Sequence, residues 1–370
     1  RIARDGAFGG SLAGVPPTQL GAHVARAALE RSGVEGGQIG QVFLGHVINT
    51  EPRDMYVSRV AALDAGIPDS AGAMNVNRLC GSGAQAIASA LAGGVENMSR
   101  SPYALTSARW GQKMGDTAAI DMMVGALTCP MGTGHMGVTA ENVAAEAQIT
   151  REDQDAFALE SQNRAATAIK EGRFASQIVP IEVKVKRDLV AWATDEHPKA
   201  TTIEALAKLR PAFKKDGSVT AGNASGLNDG AAAVVVARAD AAEKAGLKAR
   251  ARVIGYAIAG VPARTMGVGP IAAVGQLLAR IGMTADQFDV IESNEAFAAQ
   301  AIAVNRGLGL DPAKVNVNGG AIALGHPLGA TGAILTVKAL YELERTGGKY
   351  GLVTMCIGGG QGIALALEAL

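Results

Sequence analysis

Two short segments far apart in the chain are similar, and this similarity constrains the fold more than any other feature. Residues 74–77 (Met-Asn-Val-Asn) lead to Cys80 and two nearby glycines, and residues 315–318 (Val-Asn-Val-Asn) lead to Gly319 and Gly320. Each segment is typical of a strand that ends at a glycine turn before a helix. The repetition predicts an internal duplication with two similar α/β halves.

Apolar strand-like runs alternate with helical patterns along the chain, which favours a mixed or parallel sheet covered by helices. The polar, Met-rich stretch that starts near residue 98 and ends near 227 matches neither half, so we interpret it as an insertion of the kind that often forms a binding lid. The pattern predicts helices at 17–31, 151–171 and 270–281, strands at 41–47, 231–237, 252–257 and 290–293, and a C-terminal hairpin around the glycines at 358–360.

Composition excludes several classes of protein. Lys and Arg total 34 and Asp and Glu total 34, so no overall field attracts nucleic acid or an anionic membrane. The apolar runs fall short of the roughly 20 residues that span a bilayer, and Arg1 begins no secretory signal. Three cysteines without a CxxC pair favour neither a disulfide framework nor a zinc site. We therefore expect a cytoplasmic protein that binds neither membrane nor nucleic acid.

Cys80 is the first candidate for chemistry. It precedes Gly81 and Gly83, after which a small-residue stretch can form a helix. A helix N-terminus favours negative charge, so a thiol placed there is expected to ionise more easily than a free cysteine. This pattern indicates a nucleophile, and the alternative interpretation is a small buried residue in a tight turn.

Two further glycine loops carry reactive side chains. His326 lies between Gly325 and Pro327, where its imidazole could reach into a crowded cleft and act as a base. Cys356 precedes the glycines at 358–360, whose amides can form a nest for a developing oxyanion. Each residue alone is more typical of a core position, but together with Cys80 they indicate one shared site.

Asn294 follows the strand predicted at 290–293 and is expected to cap a helix that continues to about residue 306. Glu295 would then lie in the first turn, where a carboxylate suits the helix dipole. The amide of Asn294 could instead orient a water molecule.

These segments resemble the thiolases, acyl-CoA acetyltransferases that make or cleave 3-ketoacyl-CoA. The resemblance covers the whole chain and rests on residues 77–83 (NRLCGSG), 294–297 (NEAF), 325–327 (GHP) and 356–360 (CIGGG). Residues 135–142 and 220–226 are also similar to thiolase loops that hold coenzyme A, and residues 50–56 are similar to bacterial β-ketothiolases of broad chain-length range.

The resemblance implies an α/β, thiolase-like duplicated fold, in which two halves with mixed sheets form αβαβα layers and an inserted loop domain binds CoA. The N-terminal half would comprise residues 1–97 and 228–249, the inserted domain 98–227 and the C-terminal half 250–370. It also implies a homodimer or homotetramer that acts on acyl-CoA and CoA as substrates, with no separate cofactor and no metal.

The implied mechanism is a two-step acyl transfer. Cys80, activated by His326, would attack the thioester of one acyl-CoA and become acylated, and Cys356 would then remove a proton from the α-carbon of a second acetyl-CoA. One oxyanion hole would comprise His326 and a water held by Asn294, and the other the backbone N–H groups of Cys80 and Gly358.

The resemblance also implies a lining for the pantetheine tunnel. The positions that match the family are His135, Met136, Phe213, Ser225, Leu227, Ala296 and Phe297. Candidates to hold the CoA phosphates are Lys199, Lys208, Arg210, Lys214 and Lys215, although such a run is more typical of a solvated face.

The sequence departs from the thiolase pattern at two places. Thiolases begin with a strand before the position of Arg1, and they have a core strand before the glycines that match Gly93 and Gly94, whereas here Ala92 runs directly into these glycines. Losing two central strands would leave open ladders, so we expect the natural protein to contain residues that this sequence lacks.

Three other functions compete with the thiolase interpretation. A dinucleotide fingerprint at 81–86 lacks the acidic residue expected near Tyr103. A ketoacyl synthase of the same superfamily would carry histidine at the position of Asn294 and would lack Cys356. A catalytically silent, CoA-binding homologue remains the third alternative, although all reactive positions are filled.

Overall fold

The computed structural model describes residues 1–2, 7–89, 92–185 and 187–370. Its first part alternates helices and strands, as the sequence predicts. Pro17 begins the first helix, and Gly33 ends it in the left-handed conformation at φ 69°. In chain order the elements are α1 (Pro17–Ser32), β1 (Gln41–Gly45), α2 (Val57–Asp64), β2 (Gly72–Val76), α3 (Ser82–Ser89) and β3 (Ala92–Asn97).

The middle of the chain forms short hairpins and helices. Thr150 caps the longest of these helices by accepting the backbone N–H of Asp153, as expected from the sequence. The elements are β4 (Tyr103–Ala104), β5 (Ile120–Asp121), α4 (Met122–Ala126), β6 (Thr128–Cys129), β7 (Gly134–His135), α5 (Met136–Glu146), α6 (Arg151–Lys170), β8 (Ile181–Val185), β9 (Asp188–Trp192) and α7 (Ile203–Ala207). The outer limits of this inserted region stay a prediction.

The chain then returns to the first sheet through β10 (Asp229–Val234), which α8 (Ala239–Lys244) follows. The strand order is β10-β3-β1-β2, with β1 parallel to β2 and β3, and β10 antiparallel to β3. The expectation that a core strand is missing after Ala92 is wrong, because Ala92–Asn97 is itself the buried strand between β10 and β1.

The second half completes the chain. Gly282 ends its first helix in the left-handed conformation, as predicted. The elements are β11 (Ala251–Gly260), α9 (Gly269–Ile281), β12 (Val290–Ser293), α10 (Ala298–Leu308), α11 (Ala321–Leu324), α12 (Leu328–Thr346), β13 (Tyr350–Ile357) and β14 (Gln361–Ala369). They build a sheet of order β11-β14-β13-β12.

The two sheets repeat one pairing scheme, which confirms the predicted duplication. In the first, β1 lies parallel to β3, which pairs antiparallel with β10. In the second, β12 lies parallel to β13, which pairs antiparallel with β14. Val315 makes a parallel bridge to Ile291, in the position that β2 takes beside β1. The two similar segments noted in the sequence therefore occupy equivalent places.

Five layers result, in the order αβαβα. Leu20 and Val24 of α1 pack on Leu44 of the first sheet, and α9 packs on the outer face of the second sheet. Between the sheets lie α3 and α12, whose residues contact both. Residues 328–339 of α12 are buried without interruption. No helix in the described ranges is both long and apolar enough to cross a membrane.

The start of α12 touches the first sheet backbone to backbone. A Cβ atom added at Gly94 would lie 2.2 Å from the carbonyl oxygen of Gly329, and one added at Gly45 would lie 2.6 Å from the same atom. Only glycine fits such a separation. This contact fixes the beginning of α12, and with it the preceding loop that carries His326.

Candidate active site

The loop between β2 and α3 presents Cys80. Leu79 has a positive φ of 45°, a left-handed conformation that costs a non-glycine residue about 1 kcal/mol. Ser82 stabilises this turn: its hydroxyl donates to the carbonyl of Leu79 at 2.6 Å and accepts the N–H of Arg78 at 2.9 Å. Cys80, the candidate nucleophile, therefore lies in a sharp turn just before a helix, and the hydrogen bonds of Ser82 stabilise this turn.

The surroundings of Cys80 oppose ionisation. Burial raises the pKa of the Cys80 thiol from 9.0 to about 11, although the backbone N–H of Gly358 donates to the sulfur and lowers it; the charge of Glu96 raises it further. The expectation that this thiol is easier to ionise than a free cysteine is therefore wrong, because desolvation outweighs the backbone N–H donors. At neutral pH Cys80 is a thiol, and its attack on a carbonyl needs a base.

Cys356 lies near the end of β13 and is buried. Burial raises the pKa of its thiol, and the charge of the nearby Cys80 raises it further. Ile357 pairs with Gln361 across the hairpin, and Gly359 and Gly360 turn it at φ 84° and 88°. The predicted glycine hairpin is confirmed, and it brings the N–H of Gly358 to Cys80.

Asn294 does not begin a helix, contrary to the sequence prediction. Its backbone N–H donates to the carbonyl of Thr354 at 3.0 Å, and α10 starts only after Phe297. Phe297 bridges to Ala224, and the carbonyl of Ala296 accepts the N–H of Ser225 at 3.0 Å. These tertiary hydrogen bonds keep residues 294–297 out of a helix and override the local capping signal.

Glu295 accordingly lies outside any helical turn. Its carboxylate accepts the hydroxyl of Ser161 at 2.7 Å, the side-chain amide of Asn316 at 2.9 Å and the N–H of Ile322 at 3.2 Å. Burial raises the pKa of Glu295, while these donors lower it. The residue ties the segment of Asn294 to α6 and to the start of α11.

His326 is buried beside Asn294. The side-chain nitrogen of Asn294 lies 3.4 Å from Nε2 of the imidazole, and the hydroxyl of Thr331 lies 2.6 Å from Nδ1. The backbone N–H of His326 donates to the side chain of Asn228 at 2.8 Å. Leu328, two residues further on, packs in the same apolar cluster as Cys80. The structure thus brings the loops of Cys80, Asn294, His326 and Cys356 together.

The residues expected to hold pantetheine form an aromatic group beside Cys356. The ring of His135 stacks on Phe213 with centroids 4.8 Å apart, and Phe213 meets Phe297 edge-on at 6.1 Å. Met136, Ala296, Phe297 and Cys356 share one apolar cluster. Burial lowers the pKa of His135, whose Nδ1 accepts the N–H of Gly137 at 3.1 Å.

The other expected CoA residues lie at two different places. Ser225 lies beside Ala296 through its backbone hydrogen bond, and Leu227 packs with Cys80 on the cluster that contains Leu328. All of the basic candidates are exposed: Lys199, Lys208, Arg210, Lys214 and Lys215. Their contribution to phosphate binding stays a prediction.

Sequence reasoning missed Asn228, Thr331 and the setting of His197. The side-chain amide of Asn228 lies 3.3 Å from Nδ1 of His197, and burial lowers the pKa of His197 to about 4. Asn228 precedes β10, and 98 positions separate it from His326. No local sequence signal links such distant partners.

Within the described ranges, no group of three or more His, Cys, Asp or Glu side chains could hold a metal ion.

Comparisons with known proteins agree with this arrangement. Residues 2–240 match the family model "Thiolase, N-terminal domain" and residues 247–369 match "Thiolase, C-terminal domain". The chain is 56% identical over 379 residues to a beta-ketothiolase of Cupriavidus necator, covering 99% of this chain and 96% of the relative.

Two solved structures are similar throughout. The acetyl-CoA acetyltransferase of Bacillus anthracis superposes with a TM-score of 0.95 at 46% identity, covering 99% of this chain and 96% of its own. Human mitochondrial 3-ketoacyl-CoA thiolase in complex with CoA gives a TM-score of 0.96 at 42% identity, covering 100% and 96%. The thiolase family models match both halves of the chain, and the relatives match it along its whole length. The chain therefore belongs to the thiolase family.

Proposed function

We propose that this protein is an acyl-CoA C-acetyltransferase, which condenses two acyl-CoA molecules to a 3-ketoacyl-CoA and CoA or performs the reverse thiolytic cleavage. One observation carries the proposal: Cys80 packs both with Ile357, the neighbour of Cys356, and with Leu328, two residues after His326. The names of the Cupriavidus and Bacillus relatives, a ketothiolase and an acetyltransferase, support the same reaction class.

In the first half-reaction Cys80 is the nucleophile. Because its pKa is about 11, Nε2 of His326 must take the thiol proton as the sulfur attacks the thioester carbonyl. The carbon–sulfur bond to CoA then breaks, and the thiol of Cys356 gives its proton to the departing CoA sulfur. The products are acyl-Cys80, CoA, a protonated His326 and the thiolate of Cys356.

In the second half-reaction Cys356 is the base. Once acylated, Cys80 can no longer ionise, so no charge on its sulfur raises the pKa of Cys356. The Cys356 thiolate takes a proton from the α-carbon of a second acetyl-CoA, and the carbanion forms a carbon–carbon bond to the acyl carbonyl. Cys80 leaves as a thiolate, which recovers its proton from His326.

Two sets of donors would stabilise the oxyanions. The backbone N–H groups of Cys80 and Gly358 serve one, and the protonated His326 with a water held by Asn294 serves the other. The Oδ1 atom of Asn294 is buried without a hydrogen bond from the described protein, so it is suited to hold such a water. Removing one oxyanion donor typically costs about 3 to 4 kcal/mol of barrier.

The pantetheine arm would approach along the aromatic group of His135, Phe213 and Phe297. Its apolar walls lead to Cys356, and the human thiolase has been solved with CoA. No cofactor besides the CoA thioesters takes part in the proposed reaction, and the reduced cysteines it requires suit the cytoplasm.

We also propose that the protein assembles as a homodimer or homotetramer through β2. This strand is an edge of the first sheet and carries Met74, which is 52% exposed; Met55 and Tyr56 nearby are each 66% exposed. Such an apolar edge is typical of an interface. Light scattering should give a mass above that of one chain, and a monomer at micromolar concentration would contradict the assembly.

Acyl transfer can be tested with acetyl-CoA alone. The purified protein should release free CoA, and mass spectrometry should find the acetyl group on the Cys80 peptide. Cys80→Ser should lose CoA release, and Cys356→Ser should lose acetoacetyl-CoA formation. Cys129, the third cysteine, provides the matched control: Cys129→Ser should retain both steps.

Three results would contradict the proposal. CoA binding without CoA release from the wild type would indicate a silent homologue. Acetylation of Cys80 without condensation onto a second acetyl-CoA would favour a ketoacyl synthase-like enzyme with another acceptor. An acetyl group on Cys356 instead of Cys80 would reverse the two roles assigned here.

A further inference from the structure

The hydrogen bonds around Thr331 determine where the imidazole of His326 carries its proton. Thr331 is fully buried near the start of α12. Its hydroxyl donates to the carbonyl of Pro327 at 2.8 Å, and the same oxygen lies 2.6 Å from Nδ1 of His326. A hydroxyl has one proton to donate. If Pro327 receives it, the oxygen can only accept from Nδ1.

The opposite arrangement would leave two acceptors in contact. If Nδ1 carried no proton, Thr331 would have to donate to it, and its oxygen would then face the carbonyl of Pro327 at 2.8 Å without a proton between them. On the other side of the ring, the side-chain nitrogen of Asn294 lies 3.4 Å from Nε2, too far to make a strong hydrogen bond to it.

We infer that Thr331 is a positioning residue that holds His326 in the Nδ1–H tautomer, so that the Nε2 lone pair is the base for Cys80. The inference rests on the proposed acyl transfer and adds a residue to it. Asn228 supports the same geometry, because it anchors the backbone of His326 at 2.8 Å and leaves the ring orientation to the Thr331 contact. Proton transfer at Nε2 then proceeds while Nδ1–H stays on Thr331.

The chain offers a matched control on the same helix. Thr336 is also buried, and its hydroxyl donates to the carbonyl four residues earlier, Gly332, at 2.8 Å. Thr331 makes the same kind of bond to Pro327. Each valine substitution therefore removes a buried hydroxyl and its hydrogen bond to the carbonyl four residues earlier. Thr331→Val in addition removes the contact with the imidazole of His326.

The kinetic test compares these variants in CoA release from acetyl-CoA. General base catalysis typically contributes about 10²- to 10⁴-fold, so Thr331→Val should lower kcat by at least about tenfold with little change in KM. Thr331→Ser, which keeps the hydroxyl, should restore most of kcat, and Thr336→Val should leave it unchanged. Equal kcat values for Thr331→Val and Thr336→Val would overturn the inference while the acyl transfer itself stood.

A spectroscopic test does not depend on activity. In wild-type protein labelled with ¹⁵N in its histidine rings, Nδ1 of His326 should carry the proton near neutral pH and Nε2 should not, with His326→Gln used to assign the signals. Thr331→Ser should keep this pattern. A wild-type ring protonated at Nε2 alone would refute the role of Thr331, even if no valine variant folds.

Discussion

Alkylation of Cys80 should depend on pH as for a thiol with a high pKa, and not as for a preformed thiolate. Burial raises its pKa from 9.0 to about 11. Each unit is a factor of ten in the thiolate fraction, so at neutral pH this fraction is about 100-fold below that of an unperturbed thiol. Only the thiolate reacts with iodoacetamide.

The assay follows carbamidomethylation of the Cys80 peptide by mass spectrometry at a series of pH values. We expect the rate constant to rise about tenfold per pH unit between about pH 7 and pH 10 without a plateau. Burial also slows access of the reagent, but this slowing is independent of pH, so the slope is the informative quantity. The same peptide in the unfolded chain provides the reference.

A plateau already below about pH 8 would refute the reasoning. It would mean that a stable ion pair between the thiolate and the imidazolium of His326 exists before substrate binds. His326→Gln distinguishes the two cases, because it would abolish such a plateau but would leave a slope set by burial unchanged.

Asp229→Asn should stabilise the fold increasingly as pH rises from about 4 to 7. Burial raises the pKa of Asp229 from 3.8 to about 6. Ionisation of this carboxyl group in the wild type therefore lowers the free energy of unfolding as pH rises between these two values, by up to about 3 kcal/mol. Urea unfolding at both pH values measures this, and an equal gain at both would contradict it. Gly137→Ala should raise KM for acetyl-CoA about tenfold, a change of about 1.4 kcal/mol, because the added Cβ would lie 2.2 Å from the ring of Phe213. Gly125→Ala, which meets nothing within 4 Å, is its control, and an equal KM in both variants would count against the aromatic group as part of the CoA site.

Much of the fold could be predicted because its signals are local. Pro17 and Gly33 bound α1, Thr150 caps α6 and Gly282 ends α9, as the sequence indicates. Capping depends on residues within one turn, so it can be found in a single sequence. The similar segments before Cys80 and Gly319 likewise indicated the duplicated sheets.

The properties that depend on distant contacts could not be predicted. Asn294 has a good capping side chain, but its N–H binds Thr354 on β13, so the helix starts four residues later. The pKa of Cys80 depends on its burial and on contacts with Glu96 and Gly358, which lie elsewhere in the sequence. The positions of His135 and Phe213 came from resemblance to thiolases, and no spacing in the sequence indicates that their rings stack.

The burial of α12 bears on how the chain can be divided. Residues 328–339 lie between the two sheets and contact both, so the second half provides the inner cover for the first. If the gene were split between residues 240 and 247, where the two family models meet, each fragment would expose a large apolar surface to water. Acyl transfer should therefore return only when both fragments are coexpressed, and the pair would provide a complementation reporter whose signal depends on docking of this single helix.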